Sequence, residues 1–234
     1  CQGYPKGTAA ASQMRLSDDE RERLSAQARR RLDSDCSCHD WDHTARVVAS
    51  ALELARQEGA DEAVVEAAAI LHDIARPAEM ADQGRSDHAL LGADEALEIL
   101  ASEGIGDDAW RRHVADCIRT HRWRSRTGEL PATVEARVLF DADKLASLGA
   151  VGLARAFHFA GKTGARVHNT RDEALGGESY GREDSAYREY LVKLRHLPEG
   201  MLTASGRRVA RERDLFMQEF FQELDKETGQ GVSV

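Results

Sequence analysis

The chain has 234 residues, 41% of them hydrophobic and 31% charged, with 32 Lys and Arg set against 41 Asp and Glu for a formal net charge of −9. That balance excludes a protein that grips the nucleic-acid backbone through clustered cations, and no apolar run approaches the ~20 residues of a membrane span, so a soluble chain is expected. The length suits one large domain with a substantial core. Cys1, Cys36, Cys38 and Cys117 form no disulfide or zinc framework, which makes a cytoplasmic location the expectation, with a lipoprotein cysteine at Cys1 as the alternative.

Residues 1–16, polar and rich in small side chains, are expected to form a flexible lead. Ser17-Asp18-Asp19-Glu20 has the form of a capping box, so a helix is predicted from there to about Leu32. A second is predicted from Trp41 to Glu58, stopping at Gly59. After Asp61, AVVEAAAIL is apolar on nearly every face, the pattern of a central helix surrounded by others. Further helices are predicted over 87–103, 107–121, 132–148, 151–159 and 184–196, and a last one over 207–227 with Val209, Phe216, Phe220 and Leu224 on one stripe. No alternating strand, internal repeat or proline-rich linker interrupts the pattern. The expected fold is therefore all-α, a single helical domain over 17–226 with a flexible tail over 227–234. The glycine-rich, charged stretch 161–182 is long for a connection in a compact domain. It reads either as a surface loop or, through Lys162, Arg166 and Arg171, as a lid over an anionic ligand.

The most apolar stretch, AAAILHDIARP at 67–77, ends abruptly in polar groups. Read alone, His72 and Asp73 admit two explanations. Either the helix leaves the core there, with Asp73 capping its own turn before Pro77, or the interior needs both groups. A buried, ionised carboxylate is costly unless a cation or strong donors meet it. His43 falls on one helical face with Arg46, Val47 and Ser50, and Asp143 falls on one face with Ala136, Leu139, Phe140 and Ala146. Three helices then each aim a ligand-type side chain inward, and one shared divalent ion explains all of them by offsetting the desolvation of Asp73 and Asp143. Asp141 and Asp143 lie about 200° apart on a helix, so only one of the two can face that ion.

These residues resemble the HD-domain superfamily of metal-dependent phosphohydrolases. The likeness rests on His43 in HDWDHTARV, His72 and Asp73 in AAAILHDIARP and Asp143 in RVLFDADKLASLGA, in the family's order H, HD, D. It continues through HALLGADEALEIL, IRTHRW, GLARAFHFAGKTG and RRVARERDLFMQEFF, over residues 20 to 226, and is greatest to small single-domain bacterial members. The resemblance implies a helical bundle with a metal site between central helices. Its Ala-Asp-x-Leu pattern selects Asp143 over Asp141, and relatives often carry an acidic residue where this chain has Ala146.

Two imidazoles and two carboxylates leave two positions of a six-coordinate ion open, a set that suits Mn²⁺, Fe²⁺, Co²⁺, Ni²⁺ or Mg²⁺. Such an ion acidifies bound water and polarises a phosphorus centre, with Asp73 as the catalytic residue that guides the water. Arg46, Arg76, Lys144 and Lys162 are the candidate phosphate-binding cations, although each is also readable as an ordinary solvated charge. His88 and His121 fall where two-metal HD proteins draw extra histidines, with Asp73 as a bridge; otherwise they bind substrate or donate a proton. His39, His113, His158, His168 and His196 read as surface, lid or core residues. The expected activity is hydrolysis of phosphate ester or phosphoanhydride bonds of nucleotides, by a nucleoside triphosphate pyrophosphohydrolase or a nucleotidase. The expected partner is a small phosphorylated substrate rather than a nucleic-acid polymer. A dinuclear-iron oxygenase and a noncatalytic nucleotide sensor are the alternatives.

Overall fold

The computed structural model describes residues 15–32, 40–122 and 129–229; most of the expected lead and tail, and His39, lie outside them. Within them the chain is helical and contains no strand. The helices are α1 (Asp18–Leu32), α2 (Trp41–Glu58), α3 (Glu62–Leu71), α4 (Arg76–Ala81), α5 (His88–Ser102), α6 (Asp108–Thr120), α7 (Val134–Leu145), α8 (Gly149–Lys162), α9 (Arg171–Gly176), α10 (Ala186–Val192) and α11 (Ala204–Glu227). A 3-10 helix, Leu194–Gly200, joins α10 to the loop before α11.

Every residue of α3 is buried, and α1, α2, α6 and α7 pack around it. Its all-round apolar sequence requires that position. The two acidic residues it carries inward, Glu62 and Glu66, are met by arginines: Arg15 and Arg56 for Glu62, Arg21 for Glu66. Asp40 and Asp61 cap α2 and α3 by accepting backbone N–H groups of the first turn. Gly59 ends α2 at φ 70°, a left-handed conformation that glycine adopts without strain.

Four expectations are adjusted. Residues 184–196 divide into α10 and the start of the 3-10 helix, because Pro198 lacks the N–H that a continuing α-helix would need. The helix expected over 151–159 runs longer in both directions, as α8. The stretch 161–182 contains a helix, α9, whose capping box joins Thr170 and Glu173, and Arg166 within it is paired with Glu173 and Glu183. The last helix is rotated from the expected stripe: Ala210, Met217 and Phe221 are buried, while Phe216 and Phe220 are 47% and 36% exposed. Close approach sets this rotation. A Cβ at Gly206 would stand 2.2 Å from Asp141 Oδ2, so the small-residue face of α11 is the one that meets α7.

Candidate metal centre

The cluster forms where helix ends converge. His43 lies in the first turn of α2, where its own N–H donates to the cap Asp40 (2.9 Å). His72 and Asp73 follow the last residue of α3 in a tight turn, His88 is the first residue of α5, His121 caps the end of α6, and Asp143 lies in the last turn of α7. Ends of helices leave backbone groups unpaired, and these groups orient the rings. His72 Nδ1 donates to Ala69 O (2.8 Å) and His121 Nδ1 to Ile118 O (2.6 Å). In the neutral ring of either, the proton held on Nδ1 leaves Nε2 as the lone pair available to a metal.

All four Nε2 atoms converge on Asp73, which is 4% exposed. Asp73 Oδ2 stands 3.7 Å from His43 Nε2 and 3.5 Å from His72 Nε2, and Oδ1 stands 3.4 Å from His88 Nε2 and 3.8 Å from His121 Nε2. Asp143 Oδ1 lies 3.5 Å from His43 Nε2. The structure thus brings together His43, His72, Asp73 and Asp143, and adds His88 and His121 on the far oxygen of Asp73. Two overlapping groups, His43–His72–Asp73 and Asp73–His88–His121, each have ligand atoms close enough to hold a metal ion.

The donors fit such an ion. His72 Nε2 is fully buried and makes no hydrogen bond, an arrangement that would be costly were nothing to share its lone pair. Burial opposes charge on these groups, and the outcome differs from ring to ring. His43 is pushed down to about 4 by burial, against Asp143 and Asp73. Burial pushes His88 down to about 2, with the charges of His121, Arg76 and Arg122 adding to it against Asp73. For His72, burial is outweighed by Asp73 and Asp143, which raise it to about 9. Burial likewise raises Asp143, yet Lys144 and the two histidines hold it well below the usual carboxylate range. The two carboxylates therefore favour positive charge at the centre, on His72 or on an ion that would replace its Nε2 proton.

The candidate phosphate ligands separate. Arg46 is half-buried beside His43, and its Nε is enclosed without a hydrogen-bond partner. Arg76 donates to Glu79 (2.9 Å) and has a similarly enclosed Nε. Lys144 is committed: its ammonium donates to Asp143 Oδ2 (2.7 Å) and His121 O (2.8 Å) and lies over the Phe140 ring. Lys162 is exposed in the last turn of α8, about 10 Å along that helix from Arg155. Among the residues without an assigned role, His113 pairs with Glu135, His168 pairs with Asp225, and His158 and His196 are exposed.

Three residues escaped the sequence reading. Arg155 of α8 places its guanidinium 3.5 Å from His43 Nδ1 and donates to Ala146 O (3.2 Å). Glu79 accepts from His88 Nδ1 (2.8 Å), and Arg122 donates to Glu79 (2.8 Å). Burial and proximity identify them; nothing in local sequence does.

Comparison with known proteins identifies the family. The HD-domain family model matches residues 40–148, which contain all six converging side chains. Bacillus subtilis YpgQ is 34% identical over 197 residues, 84% of this chain and 87% of that protein. The structure of YpgQ in complex with ADP superposes with a TM-score of 0.67 at 32% identity, covering 87% of this chain and 97% of that one. A predicted HD superfamily hydrolase from an uncultured Thermotogales bacterium gives a TM-score of 0.64 at 29% identity, covering 88% and 91%. An HD-superfamily hydrolase from Bacillus thuringiensis gives 0.70 at 27%, covering 90% and 97%. The chain belongs to the HD-domain superfamily, a family of metal-dependent hydrolases whose histidine–aspartate centre binds divalent metal.

Proposed function

We propose that the chain is a divalent-metal phosphohydrolase of nucleotides whose centre, built on both sides of Asp73, would hold two ions. One observation carries this reading: the two oxygens of Asp73 each face a separate pair of histidine Nε2 atoms, all within 3.4–3.8 Å. His43, His72 and Asp143 complete one half, and His88 and His121 the other. Bound divalent ions supply Lewis acidity toward a phosphoryl oxygen and lower the pKa of water. Mn²⁺, Fe²⁺, Co²⁺, Ni²⁺ and Mg²⁺ all suit the mixed nitrogen and oxygen set.

The chain's own residues do the remaining work. Asp73 is held in place by the turn after α3 and orients the attacking water. Arg46, beside His43, offers an enclosed guanidinium N–H to a phosphate oxygen, and Arg155 adds charge on the same side. Arg76 offers a second such N–H near His88. A nucleoside triphosphate or diphosphate matches this cationic rim in an otherwise acidic protein, and the ADP complex of YpgQ supports a nucleotide ligand. The test is a screen of nucleoside mono-, di- and triphosphates with each metal, assaying phosphate and pyrophosphate separately. Turnover that requires metal and is abolished by Asp73→Ala is expected; nucleotide binding without turnover under any metal overturns the reading.

The second histidine pair also supports a different chemistry, a dinuclear-iron oxygenase. Substrate-dependent oxygen uptake with about two irons per chain, and no phosphate release, would select it.

A further inference from the structure

The rings of the centre are oriented in two different ways. His72 and His121 are oriented by backbone carbonyls, which are part of the helix ends themselves. His88 is oriented by a side chain. Its Nδ1 lies 2.8 Å from Glu79 Oε2 and 3.1 Å from Arg76 Nη1. Arg76 can only donate, so the ring proton goes to the carboxylate, and Arg76 donates to that same Oε2 (2.9 Å). Arg122 donates to Oε1 (2.8 Å) and also pairs with Asp87 (3.1 Å), the cap of α5 that His88 follows. Glu79 is 6% exposed on α4, a helix of six residues with little packing of its own.

We propose that Glu79 is the positioning residue for the second half of the metal centre. By accepting the His88 Nδ1 proton it presents the Nε2 lone pair to Asp73 Oδ1, and so determines whether the centre holds one ion or two. This rests on the two-ion reading above. The carboxylate also pairs with Arg76 and, together with Asp87, with Arg122, and so offsets part of the positive charge that would otherwise stand beside an incoming divalent ion. An imidazole turned by a carboxylate is also a stronger ligand than one left to rotate, and losing such a partner costs about 10–100-fold in metal affinity.

The test is metal binding to the full chain, stripped with chelator and then titrated with Mn²⁺ by calorimetry and followed by electron paramagnetic resonance. The wild type is expected to take two ions and show an exchange-coupled spectrum. Glu79→Gln cannot satisfy His88, Arg76 and Arg122 together, since one side of its amide is a donor. It is expected to bind the first ion with unchanged affinity, the second about 10–100-fold more weakly, and to show an uncoupled six-line spectrum at the same metal concentration. Glu79→Asp keeps the charge between the arginines but withdraws it from His88 by one methylene. It is expected to fold even if the amide variant does not, and to show the same selective loss. A merely structural role would lower thermal stability without changing the spectrum. Two ions of unchanged affinity and a coupled spectrum in both variants overturn the role of Glu79 alone; a wild type that takes one ion overturns the two-ion reading and this inference with it.

Discussion

Asp141 and Asp143, two residues apart on α7, carry their carboxylates to opposite sides of that helix. Asp143 Oδ1 lies 3.5 Å from His43 Nε2, whereas Asp141, fully buried, accepts from Leu202 N (2.8 Å), Thr203 N (2.8 Å) and Thr203 Oγ1 (2.6 Å). One serves the centre and the other anchors the start of α11. Asp143→Asn is expected to weaken metal binding by more than the ~10–100-fold that a partner outside the ligand set contributes, and to lower the urea stability of the metal-free protein as well, because the carboxylate that Lys144 and the histidines hold ionised is lost. Asp141→Asn is expected to keep the metal and lose about 1–3 kcal/mol of stability, because its amide places a donor against one of the three donors. Metal loss confined to the Asp141 variant would reverse the assignment.

This pair shows what a sequence can and cannot disclose. Periodicity says that the two carboxylates diverge, which is a local property; that the interior needs His72 and Asp73 follows only once three helices are each seen to turn a ligand-type side chain inward. The rotation of α11 is not local, since it depends on Gly206 meeting Asp141 far back in the chain. Nor is Glu79. It sits in a helix too short to show a period, and its partners His88 and Arg122 are 9 and 43 residues away. Arg155 reaches His43 across 112 residues. The converging histidines and aspartates are legible because burying them is expensive; the groups that touch them are not, because any surface charge reads the same way.

The clamp between α1 and α3 is a second place where a buried charge governs stability. Arg21 pairs through Nε with Glu66, whose side chain is 2% exposed, and also donates to Leu16 O (3.2 Å). Arg21→Ala strands the Glu66 carboxylate in the core. Because Arg21 is itself 36% exposed and solvent screens its side of the pair, the expected loss is about 2 kcal/mol, below the 3–5 of a fully buried pair. The double variant Arg21→Ala, Glu66→Leu should recover most of it. Chemical denaturation of the three proteins checks this, and a double variant no better than the single would show that the carboxylate is not what the arginine serves.

Stability should also fall in alkali, and Cys117 is one reason. Burial on α6 pushes its thiol up to about 12 from an ordinary 9.0. The folded chain then keeps the proton that the unfolded chain gives up, so this contribution is complete below pH 9 and is lost as pH rises through 9 toward 12. By pH 10 the loss amounts to about 1.4 kcal/mol. Between pH 8 and pH 10, wild type should therefore lose about 1.4 kcal/mol more than Cys117→Ala, measured by urea unfolding under reducing conditions. Equal losses in the two proteins would show that the thiol titrates normally in the fold.

Arg46 and Lys144 are both cations beside the cluster, yet their surroundings assign them different work. Lys144 already spends two of its three donors, on Asp143 and on the His121 carbonyl, and so ties a carboxylate of one half of the centre to a histidine of the other. Lys144→Met should therefore loosen the centre itself, weakening metal binding and lowering kcat. Arg46 makes no such tie, and its enclosed Nε carries a donor with no acceptor in the protein. A buried donor of that kind costs about 1–3 kcal/mol until an acceptor meets it, and a hydrogen bond to a charged group returns about 1.5–3. Arg46→Met should therefore leave metal binding and the folded state intact, or slightly stabilise the fold, while raising the KM for a nucleotide substrate by about 10–100-fold. Steady-state kinetics at saturating metal, beside calorimetric metal titration, separates the two residues. An Arg46 variant that loses metal while keeping its KM would place that guanidinium in the support of His43 rather than in the path of the phosphate.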